Sequence, residues 1–356
     1  MVRSRGGDAS ELGQRTGGPS SDRLQPMGRV SSSGGLLIRP FAFSGAVVVR
    51  RPCESAQRKI GPSRAPCHDL RVQITKTSTA DGFVVVDLPE AATATGIVRC
   101  ARKILQDGAV NLARSLTYTY ASFGLPISGA SAGINADGDG RDAAVAAFVD
   151  ELSPRVTDGS LVLAAGKGVS SADLAAWALP PLLGHETLAA GVVAAARAGC
   201  GDLAGSTVAV EESSPGSAAV VAAFTAAGAD AVSLPLTELL VSGRSVVVVG
   251  SKPGVLDHEN VESLGAATII GAAGLSITAR GLAVARRNGA NVLPDFVAAA
   301  GPVLAAAGHA DGPSRISAVI EAVLPHDEGP YLGACYAAEE FLRTWSDELP
   351  FGRPLA

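Results

Sequence analysis

From residue 70 onward the apolar positions fall into runs of two different periods. LRVQITKTSTADGFVVVDLPE, residues 70–90, predicts two strands joined by a turn at Ala80-Asp81-Gly82. TGIVRCARK follows, and residues 105–121 carry Ala and Leu at helical spacing. Gly124-Leu125-Pro126 breaks that helix, and the small residues 128–133 after it predict a loop, where backbone can approach a ligand or another backbone. A helix over 141–152 and a strand over 161–164 come next. Beyond residue 182 the period changes. A small-residue helix over 187–198 leads into strands at 207–210, 231–234, 246–250, 268–273 and 291–294, with a helix over 218–227. Short apolar strands separated by helices predict a parallel sheet covered on both faces, an α/β architecture. Residues 316–345 predict helices that close the fold by packing back across it.

Composition narrows the reading. At 356 residues, with 47% hydrophobic and 18% charged positions, the chain has the length and balance of a two-domain globular protein. The net charge of −5 gives no case for nucleic acid or an acidic membrane as partner. The five cysteines and five histidines are scattered, without metal-ligand spacing, so a reduced, cytoplasmic setting is expected and no metal site. No apolar run approaches the ~20 residues of a membrane span. Residues 1–69 differ from the rest. They are rich in Arg, Gly, Ser and Pro, with eleven Lys/Arg against five Asp/Glu, and are expected to form a disordered basic tail.

The stretch LTYTYASFGLPISGASAGI, residues 116–134, resembles the substrate-loop signature of the Glu/Leu/Phe/Val amino-acid dehydrogenases, MTYK-x-A-x-x-GL-x-x-GGAK-x-x-I, without a gap. LVLAAGKGVSSADLAAW (161–177), GAAGLSITARGLAVARRNGANVLPDFVAAAG (271–301) and the closing YLGACYAAEEFLRTW extend the resemblance over most of the chain. It implies two domains: a substrate-type α/β domain over 70–181 and a Rossmann-like, doubly wound parallel-sheet domain over 182–310. Residues 311–356 would pack back across the cleft, with a hinge near 180–186. The family reaction is NAD(P)-dependent oxidative deamination of L-amino acids. It implies NAD or NADP as cofactor and commonly a homo-oligomer.

The chemical positions depart from that pattern. Deamination needs a cation for the substrate carboxylate, a lysine to assist water, a carboxylate to shuttle the amine proton and a bound nicotinamide. The family's carboxylate-holding lysine falls on Thr119, its catalytic lysine on Ser131 and its proton-shuttling aspartate on Gly166. The alternatives are an ordinary helix-face role for Thr119 and loop-capping roles for Ser128 and Ser131. Two nearby cations are candidates to compensate: Arg99, in place of a lysine in the glutamate-type GPxKGG run, and Lys167. Arg99 also reads as a plain surface arginine. In place of the phosphate-cradling GxGxxG/A stands Glu212-Ser213-Ser214-Pro215-Gly216-Ser217, so Ser213, Ser214, Gly216 and Ser217 are the remaining candidates for holding a dinucleotide. Glu211 and Glu212 would set negative charge where the diphosphate belongs. Farther on, Gly274-Leu275 replaces a cleft-lining asparagine pair, and Asp295 is either a site residue or a turn-stabilising aspartate.

The expectation is therefore a catalytically degenerate member of the family, acting as a binding, partner or regulatory protein. Its partners would be a small-molecule ligand in the interdomain cleft, a second copy, or an intact paralogue. The alternative is an enzyme with rebuilt chemistry in the same cleft.

Overall fold

The computed structural model describes residues 72–178 and 184–356. The expected basic tail and most of the expected hinge lie outside these residues.

The first half is a five-stranded mixed sheet in the order β1-β2-β4-β3-β5. Its strands are β1 (Gln73–Lys76), β2 (Gly82–Val86), β3 (Ala94–Ala101), β4 (Ser128–Asn135) and β5 (Leu161–Ala165), with helix α1 (Gln106–Ser122) between β3 and β4 and α2 (Arg141–Thr157) between β4 and β5. β1 and β2 form the expected hairpin, and β2 pairs antiparallel with β4. β3 runs parallel to both β4 and β5.

Residues 128–133 are not a loop. They are the body of β4, the buried central strand of this sheet. Small residues are needed there because helix α1 and the paired strand β3 both press on the same backbone. A Cβ on Gly129 would lie 1.7 Å from the Ala113 carbonyl oxygen of α1, and one on Gly96 of β3 would lie 1.8 Å from the Ala130 oxygen. The Gly129 amide donates to the Thr117 hydroxyl at 2.9 Å, so α1 is hydrogen-bonded directly onto the strand.

The second half begins with α3 (His185–Cys200). Then follow β6 (Thr207–Glu211), α4 (Ser217–Ala226), β7 (Asp230–Leu234), short α5 (Leu236–Leu239), β8 (Val246–Val249), β9 (Thr268–Gly271), α6 (Ala279–Arg287) and β10 (Asn291–Val292). The strands form an all-parallel sheet in the order β10-β9-β8-β6-β7. All four valines of β8 are buried, as expected for a strand covered on both faces. The strand order reverses between β6 and β8, which marks the crevice where open α/β sheets bind ligands.

Short α7 (Asp295–Ala298) and α8 (Gly301–Ala306) lead to α9 (Gly312–Val323) and α10 (Pro330–Leu342). α10 returns to the first half and packs on α1. There the Tyr118 hydroxyl donates to Glu339 Oε1 at 3.1 Å, buried from solvent. Arg353 donates to the same carboxylate from Nε, at 2.8 Å, and from Nη2, at 3.2 Å. Edge-to-face contacts run from Tyr118 through Phe296 to Tyr331, with centroid separations of 5.9 and 5.6 Å. The two halves thus share one continuous apolar seam. No helix among the described residues is long and apolar enough to cross a membrane.

Candidate functional site

A cavity of about 430 Å³ opens between the two sheets. Its first wall comes from β3, α1 and the turn after β5, through Thr95, Arg99, Ser115, Thr119, Gly166 and Lys167. Its second comes from the carboxyl ends of β8 and β9 with the starts of α3 and α7, through His185, Gly250, Ser251, Lys252, Gly274 and Phe296. Four of the lining side chains are basic or imidazole: Arg99, Lys167, His185 and Lys252. Among the described residues no Asp or Glu lines the cavity.

Arg99 is not a plain surface arginine. Parallel pairing of β3 with β4 and β5 holds it in the cavity wall, half-buried. Its Nη2 is 3.4 Å from the Ser131 hydroxyl, and its buried Nε has no hydrogen-bond partner. Burial pulls the guanidinium below its ordinary range, because nothing nearby offsets the lost hydration. Lys167 also lines the cavity but is exposed, while its carbonyl oxygen accepts from the Cys100 amide at 2.9 Å.

The other first-wall positions are quiet. The Thr119 hydroxyl donates to the Ser115 carbonyl oxygen one turn back, at 3.0 Å, the ordinary helix bond for a threonine. Ser131 is fully buried in β4, behind Arg99, and caps no loop. Ser128 does make the capping contact, accepting from the Leu88 amide at 2.8 Å. Gly166 lines the cavity with Arg99 beside it. A Cβ there would meet the Val98 carbonyl oxygen at 2.9 Å and Arg99 Cγ at 3.1 Å. Gly166 and Ser131 therefore flank the same arginine side chain, Gly166 beside its Cγ and Ser131 beside its guanidinium.

On the second wall the outcome differs most from the sequence expectation. Glu211 does not present its charge to a ligand. It is buried at the end of β6, and Oε2 accepts from the Gly250 amide at 3.0 Å, the Ser251 amide at 3.2 Å and the Ser214 hydroxyl at 3.1 Å. These donors sit at the reversal between β6 and β8, so the protein's own carboxylate takes up polar donors at the edge of the crevice. The four dinucleotide candidates are likewise absent from the cavity lining. Ser214 is spent on Glu211, and the Ser217 hydroxyl donates to the Glu212 carbonyl oxygen at 3.0 Å. Gly216, at φ +64°, faces the His185 side chain, and Ser213 is exposed. Glu212 is exposed.

Leu275 holds a left-handed φ of 65°, a conformation that asparagine adopts with less strain than leucine. Asp295 is neither a cavity residue nor a simple turn aspartate. Fully buried, it accepts from the Ser276 amide at 2.7 Å, and its Oδ1 lies 3.0 Å from the Tyr331 hydroxyl oxygen. That hydroxyl is also 2.6 Å from the Pro354 carbonyl oxygen and has one proton to give. A protonated Asp295 supplies the missing one. Burial agrees, pushing the Asp295 carboxyl up to about 7.

Asp173 and Trp177, which anchor the resemblance in this segment, are structural. Asp173 pairs with Arg141, which holds its carboxyl well below the usual range. Trp177 Nε1 donates to Ser153 Oγ at 3.1 Å.

Sequence reasoning missed His185, Ser115, Ser251 and Lys252. Ser251-Lys252-Pro253-Gly254 had a usable signal, since a Gly/Pro-rich turn after an apolar strand marks the carboxyl edge of a parallel sheet. His185 had none, because it is adjacent only in space.

No family model and no curated protein matches the sequence. Solved structures do match. L-tryptophan dehydrogenase from Nostoc punctiforme superposes with a TM-score of 0.61 at 16% identity, over 78% of this chain and 96% of that one. The hetero-hexameric glutamate dehydrogenase from Thermus thermophilus, in a Leu-bound form, gives 0.63 at 20%, over 75% and 84%. Glutamate dehydrogenase from Peptoniphilus asaccharolyticus gives 0.58 at 15%, over 75% and 87%. What the chain shares with these proteins is the two-domain α/β fold of the amino-acid dehydrogenases.

Proposed function

We propose that this chain is a catalytically degenerate protein of that fold, and that its cleft binds a small organic anion in a binding, partner or regulatory role. The observation that carries the reading is the Glu211 carboxylate seated on the Gly250 and Ser251 amides. A dinucleotide of the kind the resemblance implies needs those amides, or the turn beside them, for its diphosphate. A buried carboxylate there repels phosphate and uses the donors. The residues present do not fit NAD or NADP, so no hydride step is derived.

The substrate side agrees. Thr119 offers no charge, Ser131 is sealed behind Arg99, and Gly166 has no side chain. Among the described residues no carboxylate lines the cleft to pair with a substrate ammonium, whereas Arg99, Lys167 and Lys252 attract an anion. The ligand class is accordingly a carboxylate or similar anion with an apolar body and no amine. The free thiols Cys100, Cys200 and Cys335 suit a reducing, cytoplasmic setting.

Isothermal titration with NAD and NADP, and absorbance at the NADH band with glutamate, leucine, valine or phenylalanine, should both be silent. Amino-acid-dependent NADH formation by the wild-type protein sinks the reading. A second reading, altered chemistry in the same cleft, draws on the placement of Arg99 and Lys167 in one wall. It requires turnover of an amine-free acid that is lost in Arg99→Ala and Lys167→Ala.

A further inference from the structure

A second basic feature lies on the outer face of the parallel-sheet half. A groove of about 580 Å³ is lined by His258, Arg280, Ala283, Val284, Arg286 and Arg287. Arg280, Ala283, Val284 and Arg287 are spaced i, i+3, i+4 and i+7 on α6, so they share one helix face. His258 reaches the groove from the loop that follows β8.

The charge here is unbalanced, as it is in the cleft. The described residues carry seventeen Lys/Arg against twenty-nine Asp/Glu, so carboxylates are abundant. None lines this groove. Among the described residues, Arg280 and Arg287 have neither an ion pair nor a hydrogen bond from the side chain. Arg286 donates to the Asp327 carbonyl oxygen at 3.3 Å, a neutral acceptor that fixes the side chain without cancelling its charge. The nearby acids Asp327 and Glu328 line a separate cavity on the far side of Arg286. Asp257, Glu259 and Glu262 lie on the His258 side of the helix but form no ion pair with these arginines among the described residues. Three guanidiniums on one helix repel one another, and a bound anion reduces that cost.

The spacing selects the anion. Arg280 and Arg287 are about 10 Å apart along the helix axis, and with Arg286 they present more donor forks than the two oxygens of one carboxylate can fill. A linear diphosphate or triphosphate spans that separation once the arginine side chains fold inward, and arginine forks match phosphate oxygens in pairs. The short Ala283 and Val284 leave room for the chain of phosphates between them. We propose that this groove binds a small molecule through two or more linked phosphates.

The test is titration calorimetry of the full chain with inorganic tripolyphosphate and pyrophosphate. Residues 1–71 carry twelve Lys/Arg against five Asp/Glu and offer competing cations, so the readout is the difference between variants. Wild type should show a saturable site that weakens with salt, and Arg280→Ala/Arg287→Ala should weaken it by about tenfold or more. These exposed side chains have no hydrogen bond or ion pair among the described residues, so thermal unfolding should change little in the double variant. Arg99→Ala should leave the phosphate isotherm intact. Retention of wild-type affinity in the double variant overturns the proposal, as does loss in Arg99→Ala, which would move the phosphate site to the cleft. A short RNA that binds more tightly than tripolyphosphate, and loses that binding in the double variant, overturns the ligand class. The Arg99→Ala arm separates phosphate held in this groove from phosphate held in the cleft.

Discussion

Removing the Glu211 carboxylate leaves the Gly250 and Ser251 amides and the Ser214 hydroxyl facing one another without an acceptor. Glu211→Ala should therefore lower stability by about 2–4 kcal/mol in urea unfolding, with Glu211→Gln losing less because an amide oxygen remains. A second prediction concerns Asp295. Its carboxyl is raised to about 7 from an ordinary 3.8, so between these values the native state keeps a proton that the unfolded chain has released. Stability should fall as pH rises from about 4 to about 7, by on the order of 4 kcal/mol for this group. Asp295→Asn should flatten that slope, as unfolding midpoints across the window will show. At this scale the sequence was only partly legible. It marked acids at the nucleotide turn, but a strand-end residue points to either side of the sheet, and the direction of Glu211 is decided by β8, thirty-nine residues away.

Element by element, the parallel sheet was readable because its strands are short apolar runs bounded by Gly and Pro. β4 was not. SGASAGIN has poor strand propensity and becomes a central strand only because β2, β3 and α1 close on it. The same closeness makes it intolerant. Gly129→Val should destabilise by about 3 kcal/mol or more, because its Cβ falls within the Ala113 carbonyl. Circular dichroism melts will show whether the fold survives. The turn after β5 is similar in kind. Thr119→Lys, Ser131→Lys and Gly166→Asp together should not create deamination. Any side chain placed at Gly166 would press on the Val98 oxygen, and a lysine in place of Ser131 would start from a fully buried position under Arg99.

Over the whole molecule, the resemblance held where structure is at stake and failed to predict how the chemical positions are used. Thr119, Ser131, Gly166 and Glu211 all fold inward or carry no reactive group, while Arg99 and Lys167 face the cleft. Length and pattern gave two sheets, but the seam joining them depends on contacts more than two hundred residues apart, such as Tyr118 with Glu339. A double-mutant cycle on Tyr118→Phe and Glu339→Gln should show a coupling energy of about 0.5–3 kcal/mol. Additive effects would mean that the bond does not link the two halves energetically.

That bond also bears on time. Swinging the halves apart would break the buried Tyr118–Glu339 bond and separate Tyr118 from Phe296. A ligand of the proposed class would then exchange with the backbone shut, past exposed side chains of the cleft lining such as Lys167 and Lys252. Its entry would be a matter of side chains moving aside within nanoseconds rather than of domains rocking over micro- to milliseconds. Such a cleft would trade the slow commitment of a closing enzyme for rapid sampling, and stopped-flow binding of a small carboxylate without a slow isomerisation phase is the expected sign of it.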